Sequence, residues 1–166
     1  MPVIRCSLST ESIMQAIRQV RNYERRVRSA ADNIARRLGE YGYQVAWQIL
    51  DGHIDSGETI GNLRVEQVGT HQFRLVTDSQ AILFFEFGTG LGGYGHPNPL
   101  EYGPGTWSTG PQGKGHWDDP NGWYYYKNGR RYHTYGQPPH MPFYQADQEM
   151  IRRFVEIARE EMRGIV

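Results

Sequence analysis

Histidine beside carboxylates is a common way to build a metal site, and this chain offers two such groupings. One is His53 with Asp51 and Asp55, and the other is His116 with Asp118 and Asp119. Neither has the spacing that sets two histidines and a glutamate on one helix, as H-E-x-x-H does. His133 and His140 flank TYGQPP and meet only if that stretch turns back. Glu101 with Asp118 and Asp119 offers carboxylates for acid–base work, but a glycine-rich segment does not fix the separation such a pair needs. The one cysteine, Cys6, lies near a terminus and excludes a disulfide or thiolate zinc framework within a single chain. No G-x-S-x-G elbow occurs. Solvated loop residues are the ordinary reading of these groups, so we expect no catalysis, no metal and no cofactor.

The stretch FFEFGTGLGGYG, from Phe84, poses a sharper question, because Gly88, Gly90 and Gly93 fit G-x-G-x-x-G. A dinucleotide loop needs a helix opening inside the glycine run, since the helix N-terminus holds the pyrophosphate. Here YGHPNPLEYGPGTW follows, and Pro97, Pro99 and Pro104 forbid that helix. No Gly-Lys-Ser/Thr ending supplies a P-loop either. The glycines read instead as a strand leaving into a loop, with Gly88, Thr89 and Gly90 as a hinge.

The surrounding elements follow from periodicity. Between Ser9 and about Leu50, Ile13, Ile17, Val20, Val27, Ala31, Ile34, Leu38, Tyr41 and Val45 recur by fours and threes, the mark of a helix with a narrow apolar seam. Ser9 or Thr10 suits its N-cap. A helix of ~40 residues spans ~60 Å, more than one small core covers. We expect either a break near Asn22 or at Gly39 and Gly42, or a first half that packs on another subunit. Strands are expected at LRVEQV and QFRLVTD, joined by a tight turn at Gly69, and at AILFFEF from Ala81. Alternation along that last strand puts Glu86 beside Phe84, where a carboxylate must be exposed or paired. WYYYKNGRRYHTY reads as a second hairpin with Asn128-Gly129 in a type I′ turn. PPHMPF then leads into a closing helix with Met150, Phe154, Ile157, Ala158 and Met162 on one side. The expected fold is a single α+β domain over 1–166: N- and C-terminal helices on one face of a small antiparallel sheet, with a loop insertion at about 90–136 that carries the extra hairpin.

Charge narrows the function classes. Lys plus Arg and Asp plus Glu both number 18, so no global charge marks a nucleic-acid or membrane binder. No apolar run reaches the ~18 residues of a membrane span, and the N-terminus has no long apolar segment of a secretory signal. Residues 1–50 nonetheless hold eight arginines against four acids, while 51–143 hold nine acids against six bases. Such halves can set register between neighbouring copies. Aromatic residues crowd the middle: Trp107, Trp117, Trp123, Tyr124, Tyr125 and Tyr126 among them. On the second hairpin, Trp123 and Tyr125 share one face and Tyr124 and Tyr126 the other, so both faces need cover. That cover is the domain itself, a protein partner or a stacked sugar.

Three motifs stand in order: IDSGETIGNLR, ILFFEFGTG and PPHMPFYQA. Together they resemble the tail-completion or neck proteins of long-tailed bacteriophages, the group that includes the minor tail protein Z type. The family's first motif falls on Gly61, Asn62, Leu63 and Arg64, its second on Phe85, Glu86, Phe87, Gly88 and Thr89, and its third on Pro142, Phe143 and Ala146. The likeness covers about 25–90 and 138–163. Ile60 stands where the family usually has Thr, and Tyr144-Gln145 replaces an apolar-Pro pair. The resemblance implies a structural virion protein, assembled in the host cytoplasm into a cyclic homo-oligomer, commonly a hexamer, that joins head to tail. Its partners would be head-completion and tail-terminator or tail-tube proteins, with DNA passing through unread. On that reading Ile13, Ile17, Val20, Val27 and Glu86 lie at the subunit interface, and Trp107, Trp117, Trp123 and Tyr125 form the partner-binding loop. A glycan- or cell-surface-binding module built on the same aromatics is the alternative.

Overall fold

The structure is a computed structural model that describes residues 3–52, 61–79, 81–89 and 121–165. Gly90, Trp107 and Trp117 lie outside the described residues, as do most of the expected loop insertion, His53 and His116. The fold is mixed α+β. Helix α1 (Thr10–Asp51) is followed by strands β1 (Arg64–Gly69) and β2 (Gln72–Val76) and by the short helix α2 (Ile82–Phe87). Strands β3 (Trp123–Lys127), β4 (Arg130–Thr134) and β5 (Gly136–Gln137) precede helix α3 (Pro142–Met162). Among the described residues the strands form two separate two-stranded sheets, β1-β2 and β3-β4. The chain divides into two compact units, one of residues 1–43, 64–76 and 147–166, the other of 44–63 and 77–146.

In the first unit α1 begins where its cap dictates: Ser9 Oγ accepts the Ser12 N–H at 3.3 Å and Ser9 O accepts the Ile13 N–H at 3.0 Å. The helix does not break at Asn22, Gly39 or Gly42. Those two glycines are instead seats for neighbours. A Cβ at Gly39 would stand 2.9 Å from Val65 Cγ1, and one at Gly42 would stand 2.6 Å from Met150 Sδ. The first lets the β1-β2 hairpin, the second lets α3, approach the α1 backbone. Close packing offsets the ~1 kcal/mol each glycine costs a helix. A groove of about 510 Å³ lies where these elements meet, lined in part by Leu38, Phe73, Leu75 and Met150.

The first hairpin pairs Val65 with Leu75 and Gln67 with Phe73, with an irregularity between Gln67 and Gly69. His71 closes its turn at φ 58. Its backbone N–H donates to Asp32 Oδ1 at 3.0 Å, and its Nδ1 lies 2.7 Å from the same oxygen. A carboxylate on α1 thus holds the hairpin tip.

Helix α3 runs antiparallel to α1. Met150 meets Gly42, the Arg153 guanidinium lies 5.5 Å from the Tyr41 ring centre, and Arg37 bonds both Glu160 and Glu161. Asn33 Nδ2 donates to Glu161 at 3.1 Å, and Arg26 donates to the Gly164 carbonyl. Contacts therefore stop near Arg26, and residues 10–25 of α1 continue for ~24 Å past the end of α3.

In the second unit Leu50, Ala46, Leu63, Pro142 and Ala146 are buried. The segment ILFFEF is helical, not the strand that alternation suggested. Phe84 N–H reaches Ala81 O at 3.0 Å, and Gly88, at φ 74, ends the helix through its N–H to Phe84 O. Short apolar runs read equally as buried strand or helix. Here the helix wins because it turns Glu86 inward while Leu83 and Phe84 stay 47% and 54% exposed. The β3-β4 hairpin follows expectation: Asn128 at φ 52 and Gly129 at φ 73 make the type I′ turn, and Tyr125 pairs with Tyr132.

Candidate functional site

Glu86 is the one charged residue buried among the described residues, at 6% exposure. A lone carboxylate is costly there, and the structure supplies its partners. Pro142 opens α3 with no N–H to satisfy, and the next two N–H groups are orphan donors of a helix start. Phe143 N–H donates to Glu86 Oε2 and Tyr144 N–H donates to Glu86 Oε1, each at 2.9 Å. A negative charge at the positive end of a helix adds further stabilisation. Around this contact, Phe85 O accepts the N–H groups of His140 (2.7 Å) and Met141 (3.1 Å). Gln137 donates from its backbone to Thr89 Oγ1 at 3.2 Å and from its side chain to Phe84 O at 3.1 Å.

This corrects two expectations. Glu86 acts within its own chain, binding both carboxylate oxygens to α3, and does not face a neighbouring subunit. Gly88 is buried and Thr89 is bridged to Gln137, which makes both anchored points and not a free hinge. The sequence shows that Glu86 needs a partner but not which one, because 57 residues separate it from Phe143.

A second surface is the overhang of α1. Ile13, Met14, Ile17 and Val20 are exposed at 41%, 54%, 42% and 52%. Three of these are residues the heptad-like seam singled out; Val27, beside the point where α3 ends, is partly covered. A third surface was not foreseen: Ile151, Phe154 and Val155 are exposed on α3. Phe154 was expected to lie with Met150 and Ile157. It is half exposed instead, because α1 contacts the side of α3 that carries Met150, Ile157 and Glu161. The available signal was that Ile151 and Val155 form a second apolar row beside the first.

The aromatic hairpin is exposed on both faces. Tyr125 and Tyr132 stack across the strands at 5.5 Å between ring centres, while Trp123 is half-buried. On the other face His133 contacts Tyr124 and Tyr135 at 4.7 and 4.8 Å, and the Arg131 guanidinium lies 3.6 Å from the Tyr124 ring centre. His133 Nε2 bonds Asn121 O at 2.7 Å, and His140 lies against Phe85, so these two histidines have separate partners.

Electrostatics are marked at the α1–α3 seam. Hydrogen bonding from Arg37 holds the Glu161 carboxyl below its usual range, and the Arg37 guanidinium is raised by its bonds to Glu160 and Glu161. No helix among the described residues is long and apolar enough to cross a membrane.

The elements and surfaces together define an α+β chain whose conspicuous features, among the described residues, are apolar and aromatic surfaces. No family model, curated protein or solved structure matches the chain.

Proposed function

We propose that this chain is a structural subunit of a bacteriophage neck or tail-completion ring, and that its work is binding, not catalysis. The observation that carries the reading is the α1 overhang: a capped, uninterrupted helix that presents Ile13, Met14, Ile17 and Val20 beyond the end of α3. Covering each half-exposed side chain is worth ~1 kcal/mol, so a neighbouring copy that sheathed the stripe would be held by several. The Glu86 cap adds support, because it joins the EFGT and PF motifs in one contact: the first supplies the carboxylate, the second the helix start it closes. In this reading copies assemble in the host cytoplasm into a closed ring, six in the commonest arrangement of such proteins. The ring sits between head-completion proteins and the tail terminator or tube, and DNA passes through without being read.

The aromatic hairpin, with Trp123 and Tyr125, is the surface offered to the axial partner. Negative-stain microscopy of the purified protein tests the reading. Rings with a central hole are expected; a monodisperse monomer at tens of micromolar, unchanged by added tail components, overturns it. The exposed stacked pair Tyr125–Tyr132 also suits a sugar ring. Glycan-array binding that Tyr125→Ala abolishes would move the assignment to a surface-binding module.

A further inference from the structure

We propose that the outer face of α3, formed by Ile151, Phe154 and Val155, is the seat for the α1 overhang of a second copy. The proposal rests on the ring reading and specifies its seam. These three side chains are 62%, 50% and 51% exposed and lie away from the side of α3 that packs on α1. The donor and the seat of one chain cannot meet. Helix α1 is continuous from Thr10 to Asp51, and α3 runs back along it only as far as Arg26, where that side chain bonds the Gly164 carbonyl. The stripe at 13–20 therefore projects beyond α3, and folding it back would break the helix. A donor and a different acceptor on every copy make a head-to-tail contact, which closes into a ring where the rotation allows.

Spacing and charge agree. Ile13, Ile17 and Val20 step by four and three; Ile151, Phe154 and Ala158 step by three and four, the offsets at which two helices interlock side chains. Residues 10–28 hold Arg18, Arg21, Arg25, Arg26 and Arg28 against Glu11 and Glu24. Helix α3 holds five acids against three arginines, with Asp147 one turn before Ile151. Opposite charges flank two apolar rows that would otherwise slide, which selects one register.

The test replaces the exposed Cys6 with serine and uses Ile17→Cys and Phe154→Cys on separate chains. Mixed under mild oxidation, the two should form a disulfide at least about tenfold faster than either alone. A chain carrying both cysteines should give a ladder that ends at the ring's subunit number. Asp147→Arg should slow the mixed cross-link, and Arg21→Glu on the other chain should restore it. Cross-linking of Ile17→Cys with itself would mean the stripes pack on each other and would overturn the seat. Rings seen by microscopy with no mixed cross-link would also overturn it while leaving the ring reading standing. No oligomer of the unsubstituted protein at tens of micromolar would remove both. Phe154→Glu, on an exposed position, should abolish the cross-link with an unchanged far-ultraviolet circular dichroism spectrum.

Discussion

Glu86 caps Phe143: the carboxylate at the end of α2 accepts the first free N–H of α3 at 2.9 Å, and the adjacent Tyr144 N–H at 2.9 Å, from 57 and 58 residues away. One buried side chain thereby fixes where the last helix starts and how the segment before it, through His140 and Met141, is tied to Phe85.

Removing that side chain should be expensive. Glu86→Ala leaves two helix-start donors without their acceptor in a buried place, a loss of roughly 1–3 kcal/mol, or about 2–9 °C in melting temperature for a chain of this size. Glu86→Gln keeps one acceptor and should lose less. Thermal unfolding followed by circular dichroism ranks the three proteins; equal melting temperatures would mean that water replaces the carboxylate at no cost.

Gly42 tests the seat of α3 on α1. Valine there would place atoms inside the space of Met150 Sδ, 2.6 Å from the first added carbon, and overpacking of this kind costs ~1–3 kcal/mol. Met150→Ala empties that space and should recover part of the loss. A double-mutant cycle in urea shows the coupling, and strictly additive effects would separate the two residues.

The Arg37–Glu161 bond predicts the direction of acid sensitivity. The folded Glu161 carboxyl is held below its usual value of 4.5 chiefly by the hydrogen bond from Arg37. A depressed folded value means stability that is fully present above 4.5 and is lost as pH falls through the lower, folded value. Arg37→Gln should therefore narrow the gap to the parent protein as the medium is acidified through that window. Urea midpoints measured across about pH 3 to about pH 7 read it directly. A gap that widened toward acid would contradict the bond.

Two substitutions on the aromatic hairpin separate folding from recognition. Gly129 stands at φ 73 with open space around its Cα, so Gly129→Val should cost ~1–2 kcal/mol through backbone strain alone. Trp123→Ala, at a half-buried position, should instead lower head-to-tail joining roughly tenfold or more while the remaining fold stays intact. Joining efficiency measured by complementation of tail-deficient particles distinguishes them; unchanged joining by Trp123→Ala would take this hairpin out of the partner surface.

What was local was legible. The Ser9 cap, the seam of Ile13, Ile17 and Val20, the Asn128-Gly129 turn and the start of α3 after PPHM each follow from interactions among residues a few positions apart, where side-chain type and spacing decide the backbone. Distant partners decided the rest. ILFFEF is apolar enough for either secondary structure, and its helix is selected by Glu86 finding the N-terminus of α3. Gly39 and Gly42 read as helix breakers only until Val65 and Met150 occupy the space a side chain would need. Sequence alone therefore determined an α+β chain with an excess of apolar helix and aromatic surface. Only the tertiary structure decided which part of that surface is left uncovered, because burial depends on where α3 stops along α1, and that is set by contacts more than 100 residues apart, such as Arg37 with Glu160 and Glu161.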